Sequence, residues 1–205
     1  MLNLIFMKRN LLYILLLILI YSCNHKKEEI KTDAPKSSGN CTYSRDDKNA
    51  LGKQIRVTEE EKFIALQYED SSSKALYNGK DFFKGYLSCV NVDTVLGIYF
   101  DFIFNTDEAF QYYGTIKKGN KITFVLASGK AVEVPFGATF SGNTNLTNET
   151  TEYSSFGYLP VNGAKQLQSE ELARVKISWS KKEEEYKVVN PKIFVNQLPC
   201  VVNLQ

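Results

Sequence analysis

The chain has 205 residues, with 25 Lys and Arg against 23 Asp and Glu, a formal charge of +2, 43% hydrophobic residues and 13% aromatic ones. So even a balance excludes the basic footprint of a nucleic-acid binder, and the apolar content leaves ample material for a single core. The only histidine, His25, stands before any candidate fold, which removes Ser-His-Asp and Cys-His catalysis and histidine-ligated metal sites from the rest of the chain.

The first element is a short apolar run, Leu11–Tyr21, preceded by Lys8 and Arg9 and ended by Ser22-Cys23. Eleven apolar residues are the length of a signal-peptide core; a helix crossing about 30 Å of hydrocarbon needs roughly twenty. Met7-Lys8-Arg9-Asn10 reads as the start of a compact signal, with Met1–Phe6 as an extension. Residues 1–22 are therefore expected to be a removed signal. Lys8 and Arg9 account for the whole excess of positive charge, so the remainder is electrically balanced.

Ile20-Tyr21-Ser22-Cys23 resembles a bacterial lipobox, in which a small residue precedes a cysteine that is lipidated and becomes the new N-terminus. Ser22 and Cys23 fit that pattern, whereas Tyr21 is bulkier and Ile20 stands where Leu is usual. The following Lys27-Glu28-Glu29 is similar to the acidic export tag of Bacteroidota surface lipoproteins. The resemblance implies lipidation at Cys23 and an address in the bacterial cell envelope at the outer membrane, leaving the periplasmic and outer faces open. It covers residues 8–29 only and implies no activity.

Residues 23–40 are charged, small and almost free of large apolar groups, which predicts a flexible stalk from the lipid to a domain at 41–205. Within that domain Lys53–Thr58 alternates with Ile55 and Val57 on one face, and Thr94–Phe104 is the clearest strand, placing Leu96, Ile98, Phe100, Phe102 and Phe104 on one side. Ile122–Ala127 and Ala131–Phe136 predict a hairpin through a three-residue loop or bulge, with Leu126 against Val132 and Phe124 against Val134. Residues 141–155 read as a polar loop and Tyr153–Val161 as a strand. Asn162–Ala173 is the one helical signal, with Asn162 as cap; Leu167 and Leu172 are five apart, which suggests two short pieces. Val175, Ile177 and Trp179 then alternate, Lys181–Glu185 is a charged tip before Tyr186–Val189, and Ile193–Val202 is a last apolar run, with Cys200 in a strand-like setting. The pattern predicts a mainly β (β-rich α+β) domain, an antiparallel sandwich or partly open barrel with one short helix. From Gly119 onward the order of elements resembles small exported proteins of the same bacterial group, a resemblance that implies no function.

Three cysteines, Cys41, Cys89 and Cys200, remain besides Cys23, so one disulfide among them leaves one thiol over. Their wide spacing offers neither a CxxC redox pair nor a zinc site, and no cofactor is implied. Asp101, with Asp107 and Glu108, supplies the carboxylates from which acid–base cleavage of a glycoside could be built. Phe110, Tyr112, Tyr113, Tyr153, Phe156 and Tyr158 are candidates for stacking on a sugar, against a competing reading as core. Asp93-Thr94-Val95 is similar to the O-glycosylation triplet of Bacteroidota envelope proteins, which makes Thr94 a candidate. The expected function is a non-catalytic binding module, tethered to the membrane by its lipid, whose partner is a protein or a glycan. An immunity or structural envelope protein and a carboxylate-dependent hydrolase are the alternatives.

Overall fold

The computed structural model describes residues 41–66 and 81–202, which fall in one compact unit. The expected signal, Cys23 and the whole of the stalk lie outside the described residues. Along the chain come β1 (Tyr43–Lys48), β2 (Gln54–Thr58), β3 (Glu61–Leu66), β4 (Phe83–Val92), β5 (Val95–Phe104), α1 (Ala109–Tyr113), β6 (Lys121–Leu126), β7 (Ala131–Pro135), β8 (Asn143–Asn145), β9 (Thr150–Tyr158), α2 (Val161–Ser169), β10 (Leu172–Ser178), β11 (Glu183–Lys187) and α3 (Ile193–Val201).

Two antiparallel sheets face each other, as the alternating runs predict. The first has the order β1-β2-β4-β5-β9-β8, with β3 beside β2 on the same edge of β4; the second has the order β11-β10-β6-β7. Isolated bridges stitch the sheets at both flanks, Ile64 to Val188 and Phe136 to Gly157, without closing a barrel. Period-two alternation on β5 sends Phe100, Phe102 and Phe104 into the gap between sheets, where they meet Phe124 of β6 and Phe63 of β3. Trp179 sits among Phe102, Phe104, Tyr113 and Tyr153 at centroid distances of 5.3–5.6 Å, each edge-on to it. Such aromatic contacts add about 0.5–1.5 kcal/mol each beyond the area they bury.

Four local expectations are corrected. The β6–β7 loop does have three residues, Ala127–Gly129, but Phe124 pairs with Val132 and Ile122 with Val134, two residues tighter than predicted. Gly129, at φ 86°, closes the turn directly, so no wider loop is needed, and a shift of two leaves the same face buried. The helical segment ends at Ser169, and Leu172 opens β10 instead of extending the helix. Part of the predicted polar loop is ordered as β8 and the start of β9, held by backbone pairing from Asn143–Asn145 to Thr150–Glu152. Residues 193–201 form a helix: Ile193, Phe194, Gln197, Leu198 and Val201 are buried at helical spacing, and α3 packs on β2, β4 and α2.

A disulfide joins Cys41, just before β1, to Cys200 in α3, with a Cα–Cα distance of 5.6 Å. It closes a loop of 159 residues around the whole domain. Cys89 is the remaining thiol; it is buried and free, and burial holds its acidity well below that of an ordinary cysteine. The double substitution Cys41→Ser/Cys200→Ser is expected to lower unfolding stability by about 2–5 kcal/mol, read as a lower urea midpoint. Phe100→Ala should cost about 3–5 kcal/mol by opening a cavity between the sheets.

Candidate functional site

Pairing across the first sheet sorts its side chains into two faces. On the outer face β4 contributes Lys84, Tyr86 and Ser88, β5 contributes Tyr99, Asp101 and Ile103, and β9 contributes Glu152, Ser154, Phe156 and Tyr158. Tyr99 and Tyr158 are 45% and 56% exposed. Phe156 lies between them, its ring centroid 5.1 Å from Tyr99 and 4.9 Å from Tyr158. The residue beneath is Gly97, where a Cβ would come within 2.4 Å of the Phe156 ring, so only glycine lets that ring lie flat across the sheet. The result is an aromatic strip on a broad sheet face, flanked by the exposed Val95.

The polar half of this face is built around Asp101. Ser154, opposite it on β9, donates its hydroxyl to Asp101 Oδ1. Glu60 stands in the two-residue junction between β2 and β3, and the Asp101 carboxylate raises its pKa. Glu60 is exposed as a residue, yet its carboxyl is partly desolvated. That desolvation, then its interaction with the Asp101 carboxyl, pushes Glu60 up to about 7 from the ordinary value of 4.5.

The neighbours of Glu60 are turned the other way. Gln197 of α3, buried, donates through Nε2 to the Glu59 carbonyl at 3.0 Å and to Glu61 Oε1 at 2.9 Å. Its Oε1 accepts from the Thr58 hydroxyl at 2.8 Å, and the same hydroxyl oxygen accepts the Cys89 amide at 2.9 Å. Asn190 donates to Glu61 Oε2 at 2.9 Å. This knot pins the corner between β2 and β3 while leaving the Glu60 side chain on the outer face. Beside it, a notch of about 50 Å³ lined by Thr42, Thr58, Glu59, Glu61, Asn196, Gln197 and Cys200 has room for a few waters. That is far below the roughly 300–1,000 Å³ of a small-molecule pocket.

The residues singled out from the sequence divide sharply. Tyr158 is on the outer face, and Phe110 and Tyr112 are exposed on α1, with Lys181 Nζ 5.6 Å from the Phe110 ring centroid. Tyr113 and Tyr153 are corrected: both are buried in the aromatic cluster around Trp179 and have no surface with which to stack on a ligand. The Tyr153 hydroxyl donates to the Gly114 carbonyl at 2.8 Å, and burial pushes it up to about 12. Asp107 and Glu108 are exposed in the turn ahead of α1, beyond the end of β5. The carboxyl that Asp101 does influence is that of Glu60, which nothing in the run Glu59-Glu60-Glu61 sets apart from its neighbours; the only available signal is that strands end and begin on either side of it. Thr94 is exposed at the tip of the β4–β5 hairpin, next to Asp93 at φ 61°. Among the described residues no group of three or more His, Cys, Asp or Glu side chains is arranged to hold a metal ion.

Comparison with protein-family models, with curated proteins and with solved structures finds no match.

Linkage fixes the sign of one effect. A carboxyl raised from 4.5 to about 7 on folding holds its proton in the folded state where the unfolded chain has lost it. Its stabilising contribution is therefore complete below about 4.5, falls as pH rises to about 7, and is constant above. Urea midpoints measured from pH 4.5 to 8 should carry this downward component, and Glu60→Gln should remove it.

Proposed function

We propose that this chain is a lipid-anchored protein of the bacterial cell envelope that binds a glycan on the outer face of its first sheet, without catalysis. The observation that carries the reading is the strip of Tyr99, Phe156 and Tyr158 beside the hydrogen-bonded Asp101–Ser154 pair. Aromatic faces accept the C–H faces of pyranose rings, and fixed carboxyl and hydroxyl oxygens accept sugar hydroxyls, so apolar and polar halves at this spacing suit a polyol with two unlike faces. A flat sheet surface fits a polymer lying along it better than a small molecule enclosed in a cleft. The tether is supported by the sequence Ile20-Tyr21-Ser22-Cys23 and by the polar stalk after it. Acyl chains on Cys23 would hold the domain firmly, since each buried methylene contributes about 0.8 kcal/mol. A protein partner on the same face is the competing reading, favoured by the additional exposure of Val95 and Val161 near the strip. Exposure of Thr94 at a hairpin tip also suits an O-linked modification there.

The test is affinity electrophoresis on neutral soluble polysaccharides (dextran, galactomannan, xyloglucan). Tyr99→Ala/Tyr158→Ala is expected to weaken retardation about five- to hundredfold, the loss of roughly 1–3 kcal/mol of stacking, with the fold retained and the urea midpoint lowered only by the lost contacts with Phe156. No retardation of the wild type on any of them would reject the glycan reading. For the tether, a palmitate analogue should label the wild type in the producing cell and leave Cys23→Ala unlabelled. Equal labelling of the two would reject lipidation at Cys23.

A further inference from the structure

We propose that the outer face of the first sheet takes an amine-bearing glycan: the ammonium of an amino sugar sits against the rings of Tyr99 and Phe156, with the Asp101 carboxylate as its counter-charge. This rests on the reading of that face as a glycan surface and names the class of sugar it takes.

The rings of the strip are turned against one another. Phe156 stands opposite Tyr99 across the β5–β9 pair and fills the space that Gly97 leaves free. Its plane is inclined 53° to that of Tyr99 and 89° to that of Tyr158. Three rings at such angles cannot all lie flat against one pyranose. They offer electron-rich faces in several directions, a surface that suits a compact cation brought within about 6 Å of a ring centroid. One ring can then take the C–H face of a sugar while its neighbour takes a charged substituent. Asp101 is the next outward residue after Tyr99 along β5, roughly 7 Å away at the rise of an extended strand. A single ammonium group can therefore meet the ring and the carboxylate together.

Charge complementarity fixes the sign of the ligand. The Ser154 hydroxyl donates to Asp101 Oδ1, which holds the carboxylate in place without neutralising it. Among the described residues no lysine or arginine forms an ion pair with Asp101: Lys62 is 3.4 Å from Asp81 instead, and Arg45, on the β1 edge, is 2.9 Å from Asp47. Lys84 stands opposite Ile103, on the side of Asp101 away from the rings. The rows that hold the rings, Ser88–Tyr99–Phe156 and Val90–Gly97–Tyr158, contain no basic residue, and Glu152 adds a second carboxylate further along β9. The negative field is felt locally, since after desolvation it is Asp101 that raises Glu60 to about 7 from 4.5. The outer face of the second sheet is built differently. There Arg174 and Lys176 both meet Glu185, at 3.4 and 3.6 Å, and no large apolar residue of its strands is exposed. On the first sheet an ammonium gains the ring faces and a charge-assisted hydrogen bond at once, whereas a neutral sugar gains only the rings and ordinary hydroxyl contacts.

The experiment uses the full-length chain and three probes at pH 5.5, where the amine is charged: a β-1,4-linked glucosamine hexamer, its fully N-acetylated form, and galactomannan. By titration calorimetry the free-amine hexamer should bind at least about tenfold more tightly than the acetylated one. In proton NMR its C2 protons should shift upfield as they come under the faces of the rings. Asp101→Asn keeps the shape and removes the charge, and should close the gap between the two hexamers. Tyr99→Phe should preserve the gap and Tyr99→Ala should narrow it. Glu185→Gln removes the same charge from the opposite sheet and should alter neither affinity. Equal affinity for the two hexamers, or tighter binding of the acetylated one, would overturn the ammonium assignment while the glycan reading stands. A preference that survives Asp101→Asn, or that Glu185→Gln diminishes as much, would overturn it too, because the amine would then be held elsewhere or by diffuse charge. Galactomannan bound with neither hexamer held keeps the glycan reading and rejects the amine. If none of the three probes binds, both fall.

Discussion

Strand β5 has to satisfy two environments at once, and the rest of the domain is arranged around that requirement. It is the fourth strand of the path through the first sheet, bonded along its length to β4 on one side and β9 on the other, so no residue in it can turn its side chain along the sheet. Its even-numbered residues from Leu96 to Phe104 must be covered, and the cover is the second sheet with Phe124, the Trp179 that follows β10, and Phe63 from β3 at the edge of the same sheet as β5. Its odd-numbered residues are left outside: Val95, Tyr99, Asp101 and Ile103, with Gly97 roofed by Phe156. The core and the candidate ligand face are thus the two sides of one strand. Burying several phenylalanines, each contributing about 1.5–3 kcal/mol, gives that strand the rigidity a surface site needs.

The inner polar knot and the disulfide work at the other margin of the sheet. There β2 runs beyond the cover of the second sheet, and α3 takes its place. A helix packed over strand ends leaves backbone and side-chain polar groups without water, and Gln197 satisfies three residues of the corner at once: Thr58, Glu59 and Glu61. The Cys41–Cys200 bond then fastens the chain entering the domain to the same helix. Tyr43 adds a second link, donating its hydroxyl to the Cys200 carbonyl at 2.8 Å. The corner that carries Glu60 is rigid for this reason, although it is one of the most acidic stretches of the chain.

Several features are legible in the order of residues. Alternation over Thr94–Phe104 identifies the buried face of β5 because a two-residue period admits only two answers and five large apolar residues choose between them. Trp179 is readable as core from its neighbours Val175 and Ile177, and the β-rich sandwich follows from many short alternating runs. The helix at 193–201 is not legible, because an apolar segment this short fits a buried strand as well as a helix, and Pro199 argues against helix because it has no N–H to give to residue i−4. The tyrosines escape for a related reason. In Tyr153–Tyr158 aromatic residues occupy both parities, so sequence cannot say which set faces water; pairing of Tyr153 with Phe102 and of Tyr158 with Gly97 decides it.

The amino-acid sequence by itself determined the class of fold and the identity of the central strand, since both depend on local pattern and composition. Tertiary structure alone decided that Ser154 meets Asp101 and that Cys200 meets Cys41. It likewise decided that Tyr99 and Phe156 share a face with Tyr158, while Tyr113 and Tyr153 are sealed inside. The physical reason is that each of these depends on the register between strands distant in the chain, and register is fixed by the collective burial of one face, which no short stretch of residues encodes.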